Sequence, residues 1–363
     1  GGAEEYIRLQ GLVLAEAGWH VAYVTPALEK GRSTSGNVSH SNIVYETIPA
    51  ARYSYVKKGF DYAWKVGPCV EKAIKRFHPD IVVDNVAPVP AYRAHRATRR
   101  AGVKLVNIIH EVRGWRYVFW KDNPVLAIAK VPIEWSLRWC DGYFVTVGRS
   151  TFESLSRLVK RQRIFEVPNA IEPRWFTVKR SPGRDPLVLV LTRLAKIKNV
   201  SNVLRAWARV ESHFADATLV IAGSGPQERA LKRLAAELHL RSVVFEGQVS
   251  AARKAELLGA AWVYVLPTLH EGFGISIVEA MAAGVPVVTG NVPGVRDYAI
   301  GGVNCIECDP KDPVSIAGAI EVALTNRELC GRVVEAARQT AERYSLGNVK
   351  KRIVEVYETV LRC

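Results

Sequence analysis

Short runs of β-branched and aliphatic residues alternate along this chain with stretches whose apolar positions recur every three or four residues. That alternation predicts parallel strands joined by crossover helices. In the first half the expected strands are His20–Thr25, Asn42–Ile48, Asp80–Val83, Lys104–Ile109, Tyr143–Val147 and Ile164–Val167. Expected helices between them include Glu5–Ala17, Val66–Phe77, Ala91–Ala101 and Arg149–Val159. In the second half the strands are Leu187–Thr192, Thr218–Ala222, Val243–Glu246, Trp262–Leu266 and Val285–Thr289. The stretches Leu187–Leu191 and Val285–Val288 are apolar almost throughout, as parallel strands covered on both faces are.

Two turn-rich stretches interrupt the series, Pro168–Pro173 and then Lys179–Pro186 with two prolines and a glycine, which reads as a linker. The 363 residues suit two domains. The expected division is residues 1–172 and 173–345, followed by a helix over about 348–361. The class is α/β, two Rossmann-like domains, with ligands expected at the carboxyl ends of the strands.

Composition sharpens this only in part. At 48% apolar and 23% charged residues the chain is neither disordered nor low-complexity, and no run of roughly 18–20 uncharged apolar residues is present. The formal net charge is +15, with more of the excess in the first half. A basic half fits nucleic acid, an anionic membrane surface, phosphorylated substrates or a merely solubilising surface. Six cysteines are too few for a disulfide scaffold, and Cys305-Ile-Glu-Cys308 has no second pair and no histidine at zinc spacing, so reduced core cysteines are expected.

The strongest motif is His270-Glu271-Gly-Phe-Gly-Ile-Ser-Ile-Val-Glu279, after the strand Trp262–Leu266 and opening a helix near Gly274. Gly272 and Gly274 permit close backbone approach, and a helix N-terminus offers N–H groups to a phosphate. Glu271 in the loop and Glu279 in the helix lie on the order of 10 Å apart along the axis, which suits one extended ligand with hydroxyls at both ends and a diphosphate between. Arg193 and Lys198, directly after the strand Leu187–Thr192, are placed to neutralise that diphosphate. By contrast Gly223-Ser-Gly225-Pro is a weak dinucleotide fingerprint, with Glu228 at the third glycine position.

In motif order the chain resembles retaining glycosyltransferases of family 4 (glycosyl transferases group 1), which have the GT-B architecture of two facing Rossmann-like domains with a donor/acceptor cleft between them. The residues that carry the resemblance are the strand followed by Arg193-Leu-x-x-x-Lys198, Ala222-Gly-Ser-Gly-Pro226, Phe245-Glu-Gly247-Gln-Val249, Glu271-Gly-Phe-Gly-x4-Glu279, Val167-Pro-Asn169-Ala-Ile171 and Asn291-Val-Pro-Gly294. Gly1-Gly2-Ala-Glu resembles the family's Gly-rich loop after its first strand, which implies a strand upstream of Gly1.

The resemblance implies these roles. Arg193 and Lys198 hold the donor diphosphate, and Glu271 contacts sugar hydroxyls. The amides of Gly272, Phe273 and Gly274 line the sugar and phosphate, and Glu279 binds the ribose. Val249 and Lys254 lie near the nucleobase, Gly2 approaches the phosphate from the other domain, and His110 sits near the sugar's reacting face. It also implies catalysis without a metal or other cofactor, and the sequence contains no Asp-x-Asp triplet. Departures from the family pattern are Asn199 where Gly is common, an exchange expected to affect only the turn, Arg296-Asp297 where Pro-Glu is frequent, and Leu346 where Trp is frequent.

Two segments of the basic half mix aromatic and cationic residues, Tyr53–Lys65 and Arg113–Lys121, and Arg93, Arg96, Arg99 and Arg100 share one expected helix. Such mixtures suit a membrane interface. The expectation is therefore a transferase of a hexose, mannose or glucose, from a GDP- or UDP-linked sugar to a lipid-linked acceptor, peripheral on the cytoplasmic face of a membrane. A soluble transferase making a disaccharide or extending a glucan is the alternative. A nucleic-acid binder fits the charge but lacks a recognition motif.

Overall fold

The computed structural model describes residues 2–26, 41–48, 68, 70–85, 88–112, 135–140 and 142–363. The segments Tyr53–Lys65 and Arg113–Lys121 and the side chain of Arg93 lie outside the described residues. The described chain divides into two units. One holds the residues up to 112, those of 135–168 and 349–363, and the other holds 169–348. The division expected from the linker falls slightly later. Ile171 goes with the second unit because its N–H donates to Tyr344 O (2.7 Å) and its carbonyl accepts from Leu346 N (3.0 Å).

In the first unit β1 (Val21–Pro26) pairs in parallel with β2 (Ile43–Ile48), and a four-stranded parallel sheet runs β3 (Ile81–Asp84), β4 (Lys104–Ile109), β5 (Tyr143–Thr146), β6 (Ile164–Glu166). β4 is buried along five of its six residues, as a strand covered on both faces should be. The helix Gly2–Glu16 buries Tyr6, Leu9, Val13 and Leu14 on one stripe. The helix Leu346–Arg362 belongs to this unit from Val349 onward. Its Tyr357 hydroxyl donates to Gln10 Oε1 (2.9 Å), Lys104 Nζ donates to Val360 O (2.9 Å), and Lys350 pairs with Glu16 (2.7 Å).

The second unit is built on one six-stranded parallel sheet: β7 (Leu187–Leu191), β8 (Thr218–Ala222), β9 (Val243–Gly247), β10 (Val263–Leu266), β11 (Val287–Gly290) and β12 (Ile306–Cys308). Their spatial order is β12-β11-β10-β7-β8-β9. In sequence terms this is the doubly wound order of a Rossmann fold, whose direction reverses between β7 and β10. The loops that leave those two strands therefore flank the switch point, where such sheets bind ligands. A core of Val188, Val190, Leu204, Trp207, Ile221, Val265 and Ile320 fills one face of the sheet.

β12 was not expected. It is three residues long, and exposed Glu307 interrupts its apolar run, while Cys305 and Cys308 are both buried. Burial pushes both thiols up to about 12, so they are protonated core side chains. β11 starts two residues later than expected, because Pro286 has no N–H to give to the ladder.

Asn199 does more than make a turn. It sits at φ 60°, ψ 28°, where Gly or Asn is favoured, and is buried. Its Nδ2 donates to Pro267 O (2.9 Å) and to Pro310 O, tying the loop after β7 to the ends of β10 and β12. Asn199→Gly keeps the backbone conformation and removes both bonds. We expect it to destabilise the second unit by about 1–3 kcal/mol in denaturant unfolding. If only the turn mattered, the variant would be neutral.

Candidate functional site

Local packing of glycines places the two switch-point loops. Gly223 sits at φ +140°, and a Cβ there would lie 1.8 Å from Thr192 O. One at Gly225 would lie 2.3 Å from Leu194 O. The Gly-Ser-Gly loop thus works as a flat surface against the segment carrying Arg193, with Leu194 N donating to Ser224 O (3.0 Å). Arg193 is exposed and Lys198 half-buried. The Glu271 loop is held from behind in the same way. A Cβ at Gly294 (φ +84°) would lie 2.3 Å from Glu271 O, and Glu271 N approaches Pro293 O.

From the front, aromatic side chains fix the same loop. Phe273 is buried between Tyr298 (5.3 Å) and Tyr344 (5.1 Å), and the Tyr298 hydroxyl donates to Phe273 O (2.8 Å). The helix Ile275–Ala282 then begins after Gly274, which is left-handed (φ +88°) and supplies no side-chain cap. Among the described residues no backbone carbonyl accepts from the N–H of Gly272, Phe273 or Gly274. The loop therefore presents donors and the positive end of a helix dipole together. Behind them, the Tyr264 hydroxyl bonds Leu191 O (3.1 Å) and Ser276 Oγ (2.8 Å), linking the end of β7 to the helix's first turn.

Two ion pairs flank this loop. Lys198 Nζ pairs with Glu271 Oε1, and Lys254 Nζ pairs with Glu279 Oε2. Both carboxylates are buried to 9% exposure or less, so each needs its cation. Lys254 Nζ also lies 4.4 Å from the centroid of Trp175, a buried side chain. Val249 is half-buried just before Ser250, whose hydroxyl caps the helix Ala251–Ala260 by accepting from Arg253 N (3.1 Å). Lys198, Lys254, Glu271, Gly272, Phe273, Gly274 and Glu279 thus gather in one unit around one helix start. The pairing of each lysine with a carboxylate, and Trp175 beneath Lys254, were not read from the sequence. The partners are separated by up to 79 residues, and only the doubly wound order brings them together.

Gly2 and His110 fall in the first unit. Gly2 is exposed at the start of the helix Gly2–Glu16, and His110 directly follows β4. Asn85 connects the two segments, its Nδ2 donating to Ala3 O (2.9 Å) and its Oδ1 lying 2.8 Å from His110 Nε2. That arrangement assigns Nε2 as the imidazole donor and Nδ1 as its acceptor. The ring is also set edge-on to Tyr6 (5.3 Å). Burial lowers the His110 pKa to about 4, against a smaller opposing effect of Glu111. The imidazole is therefore neutral at pH 7 and is suited to hydrogen bonding.

A depressed histidine pKa means that the unfolded chain takes up a proton first as pH falls. The contribution of His110 to stability is then constant above about 6.5 and declines between there and about 4, by about 3 kcal/mol at pH 4. Denaturant unfolding at pH 7 and pH 4 measures this decline, which His110→Asn should remove in large part.

Comparison with known proteins follows the same two halves. Residues 1–175 match the family Glycosyltransferase Family 4, and residues 172–340 match Glycosyl transferases group 1. The phosphatidyl-myo-inositol mannosyltransferase of Mycobacterium tuberculosis is 34% identical over 59% of this chain and 60% of its own length. The chain spans about 60% of the length of this and several other curated relatives. Sucrose-phosphate synthase from Thermosynechococcus elongatus superposes with a TM-score of 0.86 at 20% identity, covering 100% of this chain and 94% of that one. Anabaena HepE, solved with UDP and glucose, gives 0.72 at 17% identity over 88% and 87% of the two chains.

Proposed function

Because this chain belongs to the family 4 glycosyltransferases of GT-B fold, we propose that it transfers a hexose from a nucleotide-diphosphate sugar to an acceptor hydroxyl or phosphate, with retention of configuration and without a metal. The observation that carries this reading is the uncapped helix start at Gly274 with the Lys198–Glu271 and Lys254–Glu279 pairs on either side of it. UDP beside the Anabaena structure and a mannosyl donor implied by the mycobacterial relative's name support a nucleotide sugar without choosing its base.

In the free protein each buried carboxylate is neutralised by a lysine. An arriving diphosphate competes for those ammonium groups, because its charge is greater than a carboxylate's. Lys198 then turns to phosphate oxygens, and Glu271 is released to accept hydrogen bonds from sugar hydroxyls. As the bond between the anomeric carbon and the phosphate oxygen breaks, negative charge grows on the leaving phosphate. Arg193, Lys198 and the N–H groups at the helix start stabilise it. The acceptor oxygen attacks from the face that the phosphate leaves, and its proton passes to the leaving phosphate oxygen. The family resemblance assigns neutral His110 to the sugar and Gly2 to the phosphate.

Support for a lipid-linked acceptor at a membrane comes from the first unit. Trp135 and Trp139 are 50% and 70% exposed, Arg138 lies over the Trp135 ring (5.7 Å), and the helix bearing exposed Arg96, Arg99 and Arg100 packs against the turn Ser136–Trp139. Exposed indole rings beside guanidiniums suit an anionic interface. Among the described residues no helix is long and apolar enough to cross a membrane.

Turnover with UDP-, GDP- and ADP-sugars on a polyisoprenoid phosphate, followed by NMR of the product's anomeric carbon, tests the reaction. The donor's configuration should persist and EDTA should leave the rate unchanged. Inversion or EDTA-sensitive transfer would contradict this mechanism. Co-sedimentation with anionic liposomes tests the surface, and Trp139→Ala should lower the bound fraction.

A further inference from the structure

The end of the second unit's sheet opposite the switch-point loops carries a basic pocket. It has a volume of about 470 Å³, and Arg180, Arg184, Trp262, Pro286, Leu324 and Arg327 help to line it. Arg184, Trp262 and Pro286 stand just before β7, β10 and β11, whereas the loops of Lys198 and Glu271 follow β7 and β10. A five-residue strand spans roughly 16 Å, so this pocket is separate from the candidate site.

Trp262 organises it. The indole Nε1–H donates to Gly183 O (3.0 Å), which fixes the turn that carries Arg184. Its ring lies 5.7 Å from the Arg327 guanidinium carbon. An arginine stacked in this way is held in place while the N–H groups at its edge stay available to an anion. Arg180 donates to two main-chain carbonyls, Leu258 O and Gly259 O (the latter at 3.1 Å). Burial lowers its pKa, and no carboxylate opposes that effect. Among the described residues none of Arg180, Arg184 or Arg327 forms an ion pair. Three guanidiniums around one concavity, without a carboxylate among them, make a field that attracts an anion.

The geometry points to a binding site for a phosphomonoester, with its phosphate on Arg184 and Arg327 and its organic part against Trp262, Pro286 and Leu324. Guanidinium forks match phosphate oxygens in pairs. The volume lies in the range of small-molecule sites and exceeds what inorganic phosphate fills, so the organic part is of hexose or nucleoside size.

The test uses the full chain carrying Lys198→Ala, so that the proposed donor site does not contribute. Calorimetric titration with glucose 6-phosphate, AMP and inorganic phosphate separates a sugar from a nucleoside ester. One of the two esters should bind with 1:1 stoichiometry and more tightly than inorganic phosphate. Adding Arg184→Gln and Arg327→Gln should weaken that binding at least about tenfold. Both arginines are exposed, so the thermal melt should not move, and the melt serves as the folding control. No saturable ester binding, or a loss below tenfold, would overturn the site. Equal affinity for phosphate and ester would mean an adventitious ion only and would overturn it too. Neither result depends on the transferase reading.

Discussion

Glu271→Ala is expected to lower sugar transfer by roughly 10²–10³-fold while the protein still folds. The carboxylate is buried, it neutralises Lys198, and it stands in the loop that precedes the uncapped helix. Its removal takes away the group assigned to the sugar hydroxyls but leaves the loop's supports intact. Gly294 still backs it, and Phe273 remains between Tyr298 and Tyr344. The Lys198 side chain is 22% exposed, so water can solvate the ammonium that loses its partner. A steady-state assay should show the loss mainly in kcat, and thermal unfolding should show a small change. Normal turnover would remove Glu271 from the mechanism.

Gly294→Ala is the complementary experiment, since it alters the backing of the loop and no group assigned to the ligand. The new Cβ would meet Glu271 O at 2.3 Å and Gly272 C at 2.9 Å, both backbone atoms that cannot swing aside. The residue also sits at φ +84°, where a side chain costs about 1–2 kcal/mol. Strain and overlap together are expected to destabilise the second unit by about 2–4 kcal/mol. Activity should fall as well, because relief of the overlap moves the Glu271 loop. Gly302→Ala is the control: φ is +74° there, but nothing lies within 4 Å of the added carbon. That variant should lose about 1–2 kcal/mol and keep its turnover. Equal effects of the two substitutions on activity would show that loop position does not matter.

What could be read in the sequence was set by how local each signal is. β7 and β10 announce themselves as apolar runs, and the motif around Glu271 lies within ten residues, so strand, loop and helix start were all legible. β12 was not, since three residues with an exposed Glu307 carry no period. Together with Cys305 before it, this strand reads as a Cys-x-x-Cys motif, and burial of the two cysteines accounts for both thiols. Asn199 looked like a substituted glycine because its φ is what a turn requires. Its hydrogen bonds reach Pro267 and Pro310, 68 and 111 residues away, and no local pattern encodes them. The Lys254–Glu279 pair and Trp175 beneath it have the same origin. The resemblance singled out residues that the structure gathers around this helix start, but not which of them neutralise one another.

The central claim is that the loops beside the β7/β10 switch point bind the diphosphate of a nucleotide sugar through Lys198. Calorimetric titration of the full chain and of Lys198→Ala with UDP, GDP and ADP tests it most directly. One of the three should bind the wild-type protein with 1:1 stoichiometry, and the variant should bind it at least about tenfold more weakly, as expected for the loss of a charge-assisted contact. Absence of binding by all three, or equal binding by the variant, would contradict the account.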